Sequence, residues 1–125
     1  MNRSDEEVLQ FIAASFPSVW ALELLLALTR ERRPWSRQEL LTTLRASELV
    51  VSKALDALIA AGLASSEGER ALYQPVSRDV EAYVDRVEEL YRTRPNKVRR
   101  AIVSASTSSA AAFANAFKFR GSADD

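Results

Sequence analysis

The stretch from Ser36 to Leu63, SRQELLTTLRASELVVSKALDALIAAGL, constrains this chain more than any other. It carries two complete sets of helix start and stop signals in twenty-eight residues. Ser36 and Glu39 have the spacing of a capping box, in which the hydroxyl accepts from the backbone three residues on and the carboxylate reaches back. Leu40, Leu41 and Leu44 then supply an apolar stripe. After Arg45-Ala46, Ser47 can cap a second helix, with Glu48 favourably placed in its first turn. Val51, Leu55 and Leu58 recur at helical spacing and should face inward, and Gly62 supplies a C-terminal stop. The pattern predicts a short helix, a tight turn, and a longer helix over 47–61.

Leu63-Ala64 and Ala71–Pro75 are two short extended runs around the polar tip Ser65–Arg70, which contains Gly68. That is a β-hairpin signature. A helix-turn-helix followed directly by a hairpin resembles the winged helix-turn-helix domain of bacterial transcriptional regulators, of the broad MarR-like and ArsR-like kind. The run LDALIAAGL, Leu55 to Leu63, is similar to the usual exit from the recognition helix in that group. The resemblance implies a mainly α fold with a small β-hairpin wing (about 63–75) and a C-terminal helical arm. It also implies binding to double-stranded DNA.

In that reading the outward positions of the second helix are Glu48, Leu49, Val50, Ser52, Lys53 and Asp56. The first half of such a helix meets base edges in the major groove. Lys53 and Ser52 could contact a guanine edge or a phosphate, and Leu49 or Val50 could pack on a thymine methyl. The DNA-binding set is Arg37, Arg45, Ser47, Leu49, Ser52, Lys53 and Arg70.

The charge balance pulls the other way. Residues 36–75 hold four basic and five acidic side chains, and the whole chain carries a formal net charge of zero. Each neutralised phosphate needs a Lys or Arg, so nonspecific affinity should be weak. The hairpin tip offers Arg70 beside Glu67 and Glu69, where winged-helix proteins generally carry basic residues. Arg92, Arg94, Lys97, Arg99 and Arg100 form an acid-free cluster farther on. Within it Arg94, Lys97, Arg99 and Arg100 are possible phosphate contacts, and a solvated helix face is the commoner use of such a run.

The remaining chain fits around this core. Ser4 or Asp5 caps a helix to about Ser15, carrying Val8, Leu9, Phe11 and Ile12. Ser18 caps another from Val19 to about Arg32, with Trp20, Leu24 and Leu28 as one stripe that Leu22, Leu25 and Leu26 broaden. Arg30, Arg32 and Arg33 suit its C-terminal dipole. Ser77 caps a helix to about Arg92, Pro95 breaks or restarts it, and a last helix carries Ala110, Phe113 and Phe117. The expected division is a winged domain over 1–76, an arm over 77–120 that mediates dimerisation, and a flexible tail over 121–125. The dimer rests on apolar surface that one small domain does not cover.

The chain has neither cysteine nor histidine, which removes disulfides, thiolate metal sites and imidazole bases. No paired acidic motif stands out, so catalytic residues, metal ligands and cofactors are expected to be none. The start MNRSDEE is polar and lacks a signal-peptide pattern, and Val19 to Leu28 is too short to span a bilayer, so a cytoplasmic location without membrane attachment is expected. Two alternatives to DNA binding stay open. One is a protein–protein adaptor using Leu49, Val50, Glu48 and Asp56. The other is an effector-responsive regulator with a small-molecule pocket between the Val19–Arg32 helix and the arm.

Overall fold

Helix formation follows the serine caps closely. The computed structural model describes residues 4–105. In chain order it contains α1 (Asp5–Ser15), α2 (Val19–Arg30), β1 (Trp35–Ser36), α3 (Arg37–Leu44), α4 (Glu48–Ala60), β2 (Ala64–Glu67), β3 (Arg70–Tyr73) and α5 (Arg78–Thr93). A further helical stretch, α6, covers 95–105. The fold is mainly helical, with a small antiparallel sheet of three strands in the order β1-β3-β2. The expected last helix with Ala110, Phe113 and Phe117, and the tail over 121–125, lie outside the described residues.

Each of α1 to α5 begins at a serine whose hydroxyl accepts a backbone N–H three residues on: Ser4, Ser18, Ser36, Ser47 and Ser77. Such a cap satisfies one of the orphan donors of a helix start and is worth about 1 kcal/mol. α1 stops because Phe16 precedes Pro17, whose ring disfavours helical backbone at the residue before it; Phe16 is extended, at φ −114°, ψ 108°. α4 ends in a Schellman motif. The N–H of Gly62 donates to Ile59 at 3.1 Å and that of Leu63 to Leu58 at 2.9 Å, with Gly62 left-handed at φ 76°. Leu58 and Leu63, the apolar pair that accompanies this motif, are both fully buried.

α2 is the centre. Eight of its residues are buried, including Leu22, Leu24, Leu25 and Leu28 at 0 % exposure. It packs against α3, α4 and β3, while α1 packs on α5. A helix apolar around so much of its circumference must be covered on more than one side, and α5 supplies further cover. The Tyr91 hydroxyl donates to Glu23 at 2.6 Å, and Arg32, just beyond α2, pairs with Glu81 at 3.6 Å and Asp85 at 3.9 Å. Val84, Val87, Leu90, Val98 and Ile102 join the same hydrophobic cluster as Leu24, Leu55 and Leu58. One core therefore runs across the boundary expected at 76/77.

Three local expectations need correction. α2 ends at Arg30, not near Arg32. The Glu31 carbonyl instead accepts from the Arg33 N–H and the Trp35 indole, each at 2.9 Å, which turns the chain so that Trp35 can enter the sheet. Trp20 does not continue the buried stripe of Leu24 and Leu28; it is 42 % exposed, at the first turn of α2. Finally, the hairpin is not alone, because Trp35 and Ser36 pair with Ala71 and Arg70 as a third strand. The apolar face of α5 is covered within the chain: α1 packs on it, with Phe11 and Tyr83 stacked at 4.7 Å, and Val84, Val87 and Leu90 join the common core. No single helix among the described residues is long and apolar enough to cross a membrane.

Candidate nucleic-acid interface

The turn between α3 and α4 consists of Arg45, Ala46 and Ser47. Arg45 closes α3 in the left-handed conformation, φ 53° and ψ 44°, and is the one positive-φ residue there that is not glycine among the described residues. Glycine and asparagine are the residues that normally occupy this conformation, because a Cβ costs roughly 1–2 kcal/mol in it. The Arg45 side chain is exposed, with no hydrogen bond or ion pair among the described residues. The turn itself serves the fold, since the Arg45 and Ala46 N–H groups both donate to the Leu41 carbonyl, whereas the arginine side chain adds no contact among the described residues.

α4 lies outward of α2, burying Val51, Ala54, Leu55 and Leu58. Leu49, Lys53 and Asp56 lie on the opposite side and are exposed, Leu49 to 64 %. Two clefts flank this outer row. On one side Trp20, Val50, Lys53 and Ala54 border an almost wholly apolar cleft of about 280 Å³ with Pro17 and Ser18. On the other, a polar cleft of about 570 Å³ lies between the starts of α3 and α4 and the hairpin tip, lined by Arg37, Glu48, Glu69 and Arg70 among others.

The third strand builds that second cleft. Ser36 pairs with Arg70 in the β1–β3 ladder, so Arg37, the next residue, is brought beside the hairpin. Arg37 Nη1 also donates to the Ser52 hydroxyl, which ties the start of α3 to the second turn of α4. The start of α3 is itself fixed by charge. Glu39 accepts from the Ser36 N–H at 2.8 Å and pairs with Arg33 at 3.0 Å, while Arg33 lies over the Trp35 ring at 4.2 Å. The Ser36 N–H and the Arg33 guanidinium hold the Glu39 carboxyl down to about 2.

Of the seven residues expected to contact DNA, Arg37 and Arg70 meet in one cleft, and Ser52 is joined to Arg37. Lys53 and Leu49 share the outer row of α4, one turn apart. Arg45 occupies the turn, and Ser47 spends its hydroxyl on the Val50 N–H at 3.2 Å. Glu48 and Glu69 sit in the same cleft as the two arginines, so local charge nearly cancels. Arg45, Lys53 and Arg70 have no ion pair among the described residues, in contrast to Arg32, Arg33 and Arg86. Sequence reasoning missed the role of Trp20 as a cleft wall. Its place in a helix whose other aromatic-sized positions are leucines was the available signal.

The later basic cluster stands apart. Arg94, Lys97, Arg99 and Arg100 lie at the junction of α5 and α6, and among the described residues no hydrogen bond or ion pair links them to α3, α4 or the hairpin. Arg99 instead lies over the Tyr91 ring at 5.4 Å, and Arg100 donates to the Asn96 carbonyl at 3.4 Å. The cleft between α2 and α5, about 630 Å³, is lined by Leu26, Arg30, Asp85, Glu88, Glu89, Tyr91 and Arg92. Only Leu26 in that set is aliphatic, a poor match for the largely apolar walls that enclose small-molecule effectors. No protein-family model matches this chain, nor does any curated protein or solved structure.

Proposed function

We propose that this protein is a winged helix-turn-helix transcriptional regulator that binds double-stranded DNA. α4 is its recognition helix, α3 the preceding helix of the motif, and the β2–β3 hairpin its wing. The observation that carries the reading is the outer face of α4. It offers exposed Leu49 and Lys53, with Arg45, which has no ion pair among the described residues, in the preceding turn and Arg37 and Arg70 in the adjoining cleft. A helix presented in this way fits the major groove, with the turn and the hairpin at the flanking backbones.

Nonspecific affinity is low in this account, because Glu48 and Glu69 offset Arg37 and Arg70. Selectivity then depends on base contacts. In this reading it acts in the cytoplasm as a homodimer, an arrangement that places two recognition helices one helical turn apart on the duplex. α5 uses its apolar face inside the chain, so the described arm surface left for a second copy is Val103, 56 % exposed on α6.

The test is a fluorescence-anisotropy titration against fragmented genomic DNA from the source organism, at two salt concentrations. Binding that weakens with salt, enriches particular fragments and is lost in Lys53→Glu supports the regulator. Absence of binding at low salt refutes it and leaves the adaptor reading, in which the Leu49 face docks a protein.

A further inference from the structure

The outer face of α4 leads with an apolar side chain. The hydroxyls of Ser47 and Ser52 each accept one hydrogen bond within the fold, from the Val50 N–H and from Arg37. Glu48 lines the cleft shared with Arg37 and Arg70. Facing outward are Leu49, exposed to 64 %, then Lys53 one turn later and Asp56, with half-buried Val50 beside them. An isopropyl group at the leading end of a reading helix has nothing to offer a guanine, adenine or cytosine edge. In the major groove its one specific apolar counterpart is the C5 methyl of thymine.

We propose that this protein selects its site through thymine methyl groups packed on Leu49, with Val50 as a secondary wall and Lys53 anchoring the neighbouring guanine edge or phosphate. The inference rests on the DNA-binding reading given above and goes beyond it by naming what is read. Leu49 and Lys53 are a single helical turn apart on the same row, so one side chain can meet a methyl while the other meets the adjacent anionic or acceptor group. The bound duplex therefore has thymine opposite the first turn of α4. A protein partner on this face would meet the same leucine; Lys53, Arg45 and Arg70, none of which has an ion pair among the described residues, suit individual phosphates, while Glu48, Asp56 and Glu69 beside them keep that attraction weak.

Replacing thymine by uracil tests this cleanly, because it deletes the methyl and leaves every hydrogen-bonding edge in place. A duplex is first selected from a random-sequence pool by the full-length protein. It is then titrated by fluorescence anisotropy with thymine and with uracil at each thymine position. Each methyl buried on Leu49 is worth about fourfold in affinity, so one or two positions should show a loss of roughly fourfold each and the others none. Leu49→Ser should erase that difference. Because Leu49 is a surface residue, the variant keeps its fold, which a thermal melt verifies. Lys53→Glu should weaken the thymine and uracil duplexes equally. Equal affinity of the wild-type protein for both duplexes overturns the proposal while leaving DNA binding standing, as does a thymine preference that survives Leu49→Ser. Failure to select or bind any duplex overturns the DNA reading itself and this proposal with it.

Discussion

Arg45 offers a perturbation in which stability and binding should move in opposite directions. Its backbone is left-handed, φ 53° and ψ 44°, and its side chain makes no hydrogen bond or ion pair among the described residues. Relieving the Cβ clash by Arg45→Gly recovers roughly 1–2 kcal/mol. Against this, glycine adds about 0.5–1 kcal/mol of backbone entropy to the unfolded chain. The expected net effect lies between zero and a gain of about 1.5 kcal/mol, with each kcal/mol worth roughly 4 °C in melting temperature for a chain of this length. Arg45→Ala separates the two contributions, because alanine keeps the Cβ and should leave stability near the wild-type value. Both variants delete the guanidinium. If Arg45 touches a phosphate, each should weaken DNA binding and lower the slope of log K against log salt by about 0.9. Urea denaturation and anisotropy titrations at several salt concentrations read the two quantities. A glycine variant less stable than wild type would refute the strain argument, and an unchanged salt slope in Arg45→Ala would remove Arg45 from the interface.

Other consequences follow from the packing and the caps. Gly62→Ala should destabilise by roughly 1 kcal/mol or more: the residue is at φ 76°, and a Cβ there would lie 2.8 Å from Val76 Cγ1, so both backbone and side chain must give. Equal urea midpoints for this variant and wild type would contradict that. Glu39 has a folded-state pKa lowered to about 2, so its contribution is complete above the ordinary carboxylate range and is lost as pH falls from about 4.5 toward about 2. The stability difference between wild type and Glu39→Gln should accordingly be widest near neutral pH and shrink across that interval in pH-dependent urea melts; a difference that grows on acidification would reverse the sign. The Tyr73 hydroxyl is buried without a hydrogen-bond partner among the described residues, and burial pushes its pKa up to about 12. Tyr73→Phe should therefore be neutral or stabilising by up to about 1 kcal/mol, and a clear loss in melting temperature would reveal a bond this account lacks.

How much of this was legible in the sequence depended on the range of the interaction. Caps are local, so Ser18, Ser36, Ser47 and Ser77 could each be read from a few residues, and the first was narrowed to Ser4 or Asp5, of which Ser4 is the cap. The Schellman exit at Gly62 was equally clear. β1 was not, because two residues carry no alternation and the strand exists only through pairing with β3. Trp20 failed for a related reason: helical periodicity placed it with Leu24, but what covers a position depends on the neighbour, and α4 leaves that first turn open. The amphipathic pattern of α5 was plain, yet pattern alone does not say whose surface fills it. Here α1 and the common core do. The site shows the same division. Residue types on the outer row of α4 came from spacing, whereas the Arg37–Ser52 link and the cleft with Arg70 needed the fold.

The most direct test of the account is a map of where duplex DNA touches the protein, obtained from backbone amide shifts of the ¹⁵N-labelled chain titrated with a selected duplex. The largest changes are expected in the first turn of α3, at Arg45, along Ser47 to Lys53, and at the hairpin tip around Gly68 to Arg70, with α5 and α6 quiet. Changes confined to Arg92–Arg100, or none at all at saturating duplex and low salt, would contradict it.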